Sequence, residues 1–391
     1  MMYDCIIVGA GFCGSVIARK LAEESNKKVL ILEKRNHIAG NAYDEFNEYG
    51  ILIQKYGPHI FHTNSDEVYA FITRYGAWKD YRLNCEVFMD GVYTPSPFNF
   101  KTIDTFYPEE YARKLKQNIL EEYPNRDKAT IVEMLESKNP IVKQYANMLF
   151  EKDYSLYTAK QWGIEPSKID ISVLKRVPVR FNYEDRYFDD KYECFPKKGY
   201  TNFFENLLNH ENITVKTNID ALKEIQIDDK KGKVYINSIE TKVPVVFTGA
   251  IDELLAYKYG KLPYRSLYFK YETKDLDSFQ NAPVVAYPQV PDYTRVTEYT
   301  KLPHQDGHGK TTIAYEYPLQ YKYDSDLEIE PYYPIINDSN FNLYSEYLNH
   351  LKDIKSLFLC GRLADYKYYN MDNAIERAFL VYQSIIKYIS D

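Results

Sequence analysis

Residues 5–14 read Cys-Ile-Ile-Val-Gly-Ala-Gly-Phe-Cys-Gly, and residues 29–33 read Val-Leu-Ile-Leu-Glu. Both apolar runs have the length of buried strands, and the segment between them places Val16, Ile17 and Leu21 on one helical face. The chain therefore contains, in order, a strand, a Gly-x-Gly-x-x-Gly turn, a helix, a second strand and an acidic residue. This order predicts a dinucleotide site on a Rossmann-type sheet, which a glycine-rich turn alone would not.

Each part of this motif meets a physical requirement. Gly9 allows the tight turn, Gly11 lets the backbone approach a pyrophosphate, and Gly14 lets the helix pack closely on the strand. The unpaired N–H groups of the helix that begins near Phe12 would hold the phosphates. Glu33 is placed to accept hydrogen bonds from an adenosine ribose.

The composition of the 391-residue chain is that of a soluble globular protein with two or three domains. A net charge of −7 argues against a nucleic-acid surface and a polybasic membrane anchor, so an anionic ligand needs locally gathered arginines. Five cysteines without metal-ligand spacing predict a reduced, cytoplasmic compartment. We expect no signal peptide and no membrane span.

The C-terminal part returns to the first domain. Residues 357–362 read as an apolar strand that ends in Gly361-Arg362, and a helix follows from about Asp372. The arginine can neutralise a pyrophosphate, and the helix N-terminus can stabilise negative charge on a ring. A long cofactor such as FAD needs contacts at both ends, so we favour FAD over NAD.

The segment between these ends divides into helices and strands. Residues 104–149 have helical periodicity, and aromatic-rich strands are predicted at 177–181, 187–188, 265–271, 284–287 and 312–315. Buried strands at 213–216 and 245–249 belong with the first sheet. We predict an α/β protein with a Rossmann-like FAD-binding domain (1–82, 196–252 and 336–391), an inserted helical domain (83–150) and an antiparallel β-sheet substrate domain (151–195 and 253–335).

Three further stretches carry candidate site residues. The loop with Lys34, Gly40 and Asn41 is read as cofactor-lining, as the second glycine-rich element of Rossmann-type flavoproteins is. His59 and His62 lie close together, but no carboxylate trio or thiolates accompany them, so we predict no metal site. Arginines, tyrosines and a tryptophan gather between 157 and 188 and return near 293–295, 331–334 and 366–372. They suggest a site for an anion with flat rings; surface arginines beside core aromatics are the alternative.

These blocks, in the same order over nearly the whole chain, resemble the bacterial UDP-galactopyranose mutases. Lys-Gln-Trp-Gly at 160–163 and Gly-Arg-Leu-Ala-Asp-Tyr-Lys-Tyr at 361–368 are specific features. The resemblance implies FAD, active when reduced by NAD(P)H or another reductant. It implies interconversion of the pyranose and furanose forms of a nucleotide-diphosphate sugar, by default UDP-galactopyranose, through attack of the reduced flavin N5 on the anomeric carbon. It also implies a homodimer and a role in cell-surface polysaccharide (galactofuranose) biosynthesis.

The resemblance also assigns roles to residues. Arg176 and Arg295 would clamp the diphosphate, Arg176 from a closing loop, and His62 would lie beside the flavin. The implied substrate contacts are Tyr157 (stacking on the base), Thr158, Trp162, Arg176, Tyr187, Arg295, Tyr333, Tyr368, Asn370, Asn84 and His59. The predicted cofactor contacts are Gly9, Gly11, Phe12, Gly14, Glu33, Lys34, Gly40, Asn41, His59, Ile60, Gly361, Arg362, Tyr369, Asn370 and Met371.

The chain departs from the family pattern near the base and the sugar. Asn370 stands where an acidic residue is common, Asp153-Tyr154 where an apolar or aromatic pair is common, and Val285 where an asparagine is frequent. UDP-N-acetylgalactosamine, dTDP-fucose and a GDP-heptose type of donor therefore stay open. An amine-oxidase-type flavin oxidoreductase and a non-enzymatic FAD-binding protein are the rival functions.

Overall fold

The computed structural model describes residues 3–163, 165, 174, 177–228, 231–323 and 329–390. The glycine motif opens a five-stranded parallel sheet. Its strands lie in the order Ile213–Lys216, Val29–Leu32, Cys5–Val8, Val245–Phe247 and Leu357–Leu359. All five predicted strands of the Rossmann-like sheet are confirmed, and residues from both ends of the chain meet at its carboxyl edge.

Helices cover both faces of the parallel sheet. The helices Phe12–Ser25, Gly199–Leu208 and Met371–Ser390 share one apolar core with Asp66–Thr73. On the other face, Asp338–Leu351 and Ile251–Leu254 enclose a second core. This layering is the consequence of strands that are apolar on both faces and must be covered twice.

The second large sheet has seven strands. They lie in the order Tyr333–Pro334, Tyr264–Lys274, Thr311–Gln320, Arg295–Glu298, Val284–Ala286, Cys85–Met89 and Val92–Ser96. All neighbours are antiparallel except Val284–Ala286 and Cys85–Met89, which are parallel. The strand expected at 187–188 is wrong, and the one expected at 177–181 shrinks to Val179–Arg180, paired with Lys128–Ala129 outside this sheet.

A helical segment projects from this sheet. Its helices are Phe100–Phe106, Glu109–Glu122, Ile131–Leu135 and Pro140–Leu149, and they enclose a core of their own. Asn99 and Thr130 begin two of them with capping boxes, and Asn139 caps the helix that Pro140 opens. The strands at 85–89 and 92–96 fall within the range predicted for the helical domain but pair in the large sheet. The domain boundaries themselves stay a prediction.

Smaller elements complete the fold. A π-helical turn, Phe150–Tyr154, runs directly into the helix Ser155–Trp162. The remaining elements are the strands Asp44–Phe46, Leu52–Gln54, Phe61–Thr63, Trp78–Asp80, Tyr192–Pro196, Ile225–Asp228, Lys233–Ile236 and Ile239–Thr241 and the 3-10 turns Gly40–Ala42 and Ala221–Lys223. Among the helices in the described ranges, none has the length and apolar character needed to cross a membrane.

Candidate active site

The glycine loop is shaped by close contacts that a side chain would block. Gly9 has a φ of +101°, and a Cβ there would lie 2.1 Å from Oγ1 of Thr248. A Cβ at Gly14 would lie 2.0 Å from the carbonyl oxygen of Gly9. Both glycines are therefore required by the fold itself, as their places in the motif predict.

Gly11 and Gly40 face each other across a narrow gap. A Cβ at Gly40 would lie 3.0 Å from the Cα of Gly11, and the nearest atom to a Cβ at Gly11 is the Cα of Gly40, at 3.7 Å. The first helix begins directly after Gly11. Because glycine has no side chain to cap the helix, the first N–H groups of the helix are available to a ligand. Phe12 contributes only backbone here, because its ring packs against Phe204 in the core.

The acidic residue at the end of the second strand holds the loop in place. Glu33 is buried and accepts hydrogen bonds from the N–H of Ala10 (2.8 Å) and of Arg35 (2.9 Å). Arg35 donates to Oδ1 of Asn41, and both Arg35 and Lys34 pair with Glu330 at 3.2 Å. Within the described part of the chain, Nη1 of Arg35 is buried without a partner. A buried donor in this state fits a site that an anionic or polar ligand completes.

The C-terminal segment contributes a second loop beside the glycines. Gly361 has a φ of +118°, and a Cβ there would contact Cys13 and Thr248. Asp365 holds this loop, accepting from the Gly361 N–H, the Tyr369 hydroxyl and Arg377. Arg362 donates to the carbonyl oxygens of Tyr332 and Tyr369. These contacts bring the predicted cofactor residues of both ends of the chain together.

Arg295 lies on the large sheet, directly opposite Glu316 on the neighbouring strand. Its Nε donates to Oε2 of Glu316 at 2.7 Å, while Thr294 donates to Oε1 of the same carboxylate. Glu316 is only 2% exposed, so its charge is poorly screened. Although burial acts in the opposite direction, Glu316 and neighbouring tyrosines raise the pKa of Arg295 well above its ordinary value. The guanidinium is thus fixed in orientation and permanently charged.

Three of the predicted tyrosines interact with this arginine, and a fourth stacks on one of them. Tyr157, Tyr187 and Tyr333 each interact electrostatically with Arg295, and Tyr333 stacks on Tyr368 with ring centroids 5.7 Å apart. Burial raises the pKa of Tyr187 and of Tyr333 to about 12, despite the positive charge of Arg295. These hydroxyls therefore stay protonated and can donate to anionic oxygens.

Arg362 connects the two groups of residues. Its guanidinium lies over the rings of Tyr333 (5.2 Å) and Tyr368 (5.1 Å). His59 interacts with both arginines: burial, together with the charges of Arg362 and Arg295, lowers its pKa to about 4. Nδ1 of the neutral ring donates to the Gly57 carbonyl oxygen at 2.8 Å, which leaves Nε2 as an acceptor.

His62 and Asn84 have different surroundings. Nδ1 of His62 lies 2.9 Å from Oδ2 of Asp190, and its ring stacks on Phe188. Asn84 is exposed and forms an isolated bridge with Arg186. Both contacts are structural, so a role toward flavin or sugar stays a prediction for each.

The other predicted residues are placed as follows. Thr158 is buried in the helix Ser155–Trp162, and Trp162 is its last residue. Ile60 is core, and Asn370 precedes the helix that begins at Met371. Arg176 lies outside the described residues. Among the described residues, no group of three His, Cys, Asp or Glu side chains could hold a metal ion.

Three residues of this region were missed as site candidates. Glu316 can be identified only from the register of its strand against the strand of Arg295. Asp153 was noted only as a departure from the family pattern near the base. Nζ of Lys160 contacts the carbonyl oxygens of Tyr287 (2.7 Å), Pro288 (3.3 Å), Val290 (2.5 Å) and Tyr293 (2.7 Å). The Lys-Gln-Trp-Gly motif was a signal for this lysine, but its partners lie more than 120 residues away.

Comparison with known proteins agrees with this geometry. The family model described as UDP-galactopyranose mutase matches residues 152–368, more than half of the chain. The dTDP-fucopyranose mutase of Escherichia coli is 37% identical over 398 residues, which cover 99% of each chain. The chain belongs to the UDP-galactopyranose mutase family. This membership confirms the isomerase class that the resemblance implied.

Two further matches support the family and the fold. A probable UDP-galactopyranose mutase of Klebsiella pneumoniae is 33% identical and covers 96% of this chain and 92% of its own. The crystal structure of a reduced UDP-galactopyranose mutase matches the fold with a TM-score of 0.73 at 16% identity, covering 100% and 95% of the two chains. The model of a Rossmann-like NAD(P)-binding domain matches residues 7–75. The predicted Rossmann-like architecture is therefore confirmed for this member of the UDP-galactopyranose mutase family.

Proposed function

We propose that the chain binds FAD and uses it, in the reduced state, to interconvert the pyranose and furanose forms of a nucleotide-diphosphate sugar. The fit to the cofactor rests on the Gly11–Gly40 gap, the open helix start and the unpartnered Nη1 of Arg35. Glu33, Arg35 and Asn41 would hold the adenosine end, and Gly361 and Arg362 the far end. When bound, the reduced flavin would supply the nucleophile for the anomeric carbon.

The observation that carries the substrate class is the cluster around Arg295. One oriented guanidinium and the protonated hydroxyls of Tyr187 and Tyr333 meet at one place, and Tyr157, which also interacts with Arg295, would stack on the nucleotide base. These donors suit a diphosphate, whose negative charge grows as it leaves the sugar. Arg176 would add a second positive charge.

Two substrates, which differ in base and sugar, are candidates for this reaction. UDP-galactopyranose is the default, because most family relatives reported above carry that name. dTDP-fucopyranose is the second candidate, because the Escherichia coli relative at 37% identity acts, by its name, on that sugar.

The test is turnover by purified protein. It should carry FAD and should ring-contract UDP-galactopyranose or dTDP-fucopyranose after reduction by dithionite or NAD(P)H, followed by proton NMR of the anomeric signals. Equal turnover with oxidised flavin would contradict the proposal. Substrate-dependent hydrogen peroxide would instead favour an amine-oxidase-type activity, and bound FAD without any turnover would favour a binding protein.

The proposal extends to the cell. We propose a cytoplasmic homodimer that supplies the furanose form for a cell-surface polysaccharide. Light scattering on the purified protein tests the dimer, and loss of furanose residues from the surface polysaccharide of a deletion strain tests the role.

A further inference from the structure

Asp153 is a carboxyl group buried in the protein without a hydrogen-bonding partner in the described ranges. It is 9% exposed, and among the described residues the charge of Lys160 opposes the effect of burial on its pKa. Lys160 itself is occupied, because its Nζ contacts four carbonyl oxygens of the segment 287–293. The carboxyl group of Asp153 therefore keeps its hydrogen-bonding capacity and a small exposed area, through which it can bind a ligand.

The position of Asp153 places it beside the cluster around Arg295. It lies in the π-helical turn Phe150–Tyr154, an irregularity that is often found at functional sites. Tyr157 follows four residues later, so both side chains lie on one face of the continuous helix. Asp153 also interacts with Tyr187, which in turn interacts with Arg295. Asp153 is therefore next to Tyr187 in space and one helical turn before Tyr157 in the chain.

This inference rests on the proposed function, in which Tyr157 stacks on the nucleotide base. We propose that Asp153 recognises that base, hydrogen-bonding as a carboxylic acid to the N3–H and a neighbouring carbonyl of uracil or thymine. A carboxylic acid offers one acceptor and one donor side by side, which matches the donor and acceptor of this imide edge. A carboxylate offers acceptors alone and would instead match the adjacent N–H groups of guanine.

The surroundings favour the acid form. Burial raises the pKa of Asp153 to about 7, against the lowering effect of Lys160. In the part of the chain that the structure describes, the titratable groups that interact with it are Lys160 and Tyr154 on its own helix and Tyr187 from the segment after Arg180. Asp292 interacts with Lys160 and, against the burial of that lysine, raises its pKa. Near neutral pH a large share of Asp153 is therefore protonated.

The test uses the FAD-loaded protein and calorimetric titration with UDP, dTDP, CDP and GDP at about pH 6 and about pH 8. Wild-type protein should prefer UDP or dTDP and bind it about tenfold more weakly at the higher pH, as the acid form is lost. Asp153→Asn, whose amide also offers an acceptor and a donor, should bind tightly at both pH values. Asp153→Leu should bind weakly at both. Glu151→Gln, on the exposed side of the same turn, should behave as wild type.

Two results would overturn the inference while leaving the proposed function intact. One is turnover of a nucleotide sugar with Asp153→Asn and Asp153→Leu indistinguishable from wild type. The other is a preference for GDP that Asp153→Asn abolishes, which would mean that a carboxylate reads guanine. If no nucleoside diphosphate binds and no sugar is turned over, the proposed function and this inference both fail. Flavin content and thermal unfolding of each variant confirm that it is folded.

Discussion

Arg295 and Glu316 lie directly opposite each other on neighbouring strands, and Nε and Nη2 of the arginine both lie 2.7 Å from the same carboxylate oxygen. The glutamate thus occupies one edge of the guanidinium and fixes its plane. The same contact orients the other edge of the guanidinium, so less side-chain freedom is left to lose when an anion binds there. A hydrogen-bond donor that is oriented before the substrate binds is effective in stabilising the charge that develops in the transition state.

The first prediction concerns this pair. Arg295→Lys keeps the charge, but a single ammonium cannot hold Glu316 with two nitrogens and also present a planar edge to a diphosphate. We expect UDP or dTDP to bind about tenfold more weakly and kcat/KM to fall by about 100-fold. Calorimetry and steady-state turnover measure these effects. Arg126→Lys, in the exposed pair with Glu133, is the matched control and should change neither; equal effects in both variants would contradict the assignment.

A second prediction separates the cofactor role of the glycine loop from its structural role. A Cβ at Gly11 meets ordinary contact distances and the φ of −80° suits alanine, so Gly11→Ala should fold normally. Its methyl group would, however, occupy the approach of a pyrophosphate, and we expect flavin content to fall at least about tenfold. Gly14→Ala should instead lose the fold, because its Cβ meets the Gly9 carbonyl oxygen at 2.0 Å. Full flavin occupancy in Gly11→Ala would exclude this cofactor site.

The contrast between these two predictions shows what the sequence could and could not reveal. The Gly9–Gly14 loop was predictable because its determinants are local: a strand, a turn and a helix start within ten residues. The pair of Arg295 and Glu316, 21 positions apart, depends on the register of two strands, which alternation alone does not set. The strand expected at 187–188 is wrong because the aromatic rings that suggested it pack against a core without strand pairing, with Phe188 stacked on His62.

A third prediction concerns Lys160. Its ammonium contacts four carbonyl oxygens of the segment 287–293, and this segment leads directly into the strand that carries Arg295. Lys160→Met removes the donors and leaves these carbonyl oxygens without the cation. We expect the free energy of unfolding to fall by about 2 kcal/mol and nucleotide binding to weaken, measured by urea unfolding and calorimetry. Lys143 is an exposed lysine of the helix Pro140–Leu149, and Lys143→Met should have no effect. If the two variants have the same stability and the same nucleotide binding, Lys160 does not support the site.

The last prediction uses the pKa of His59. The folded protein holds this pKa at about 4, below the ordinary value of 6.5, because burial and the charges of Arg362 and Arg295 disfavour the imidazolium. Between these values the unfolded chain binds more protons than the folded one, so stability falls as the pH falls from 6.5 toward 4. The full loss attributable to His59 is about 3 kcal/mol.

His59→Gln should therefore lose less stability than wild type between about pH 7 and about pH 4.5, as measured by urea unfolding at each pH. His308→Gln, at a side chain that is 82% exposed, provides the control and should follow the wild-type curve. Because the ring stays neutral above its lowered pKa, we also expect the pH profile of kcat/KM to show no ionisation of His59 near 6.5. If His59→Gln loses as much stability at acid pH as wild type does, His59 is not the neutral imidazole that the two arginines hold in the uncharged form.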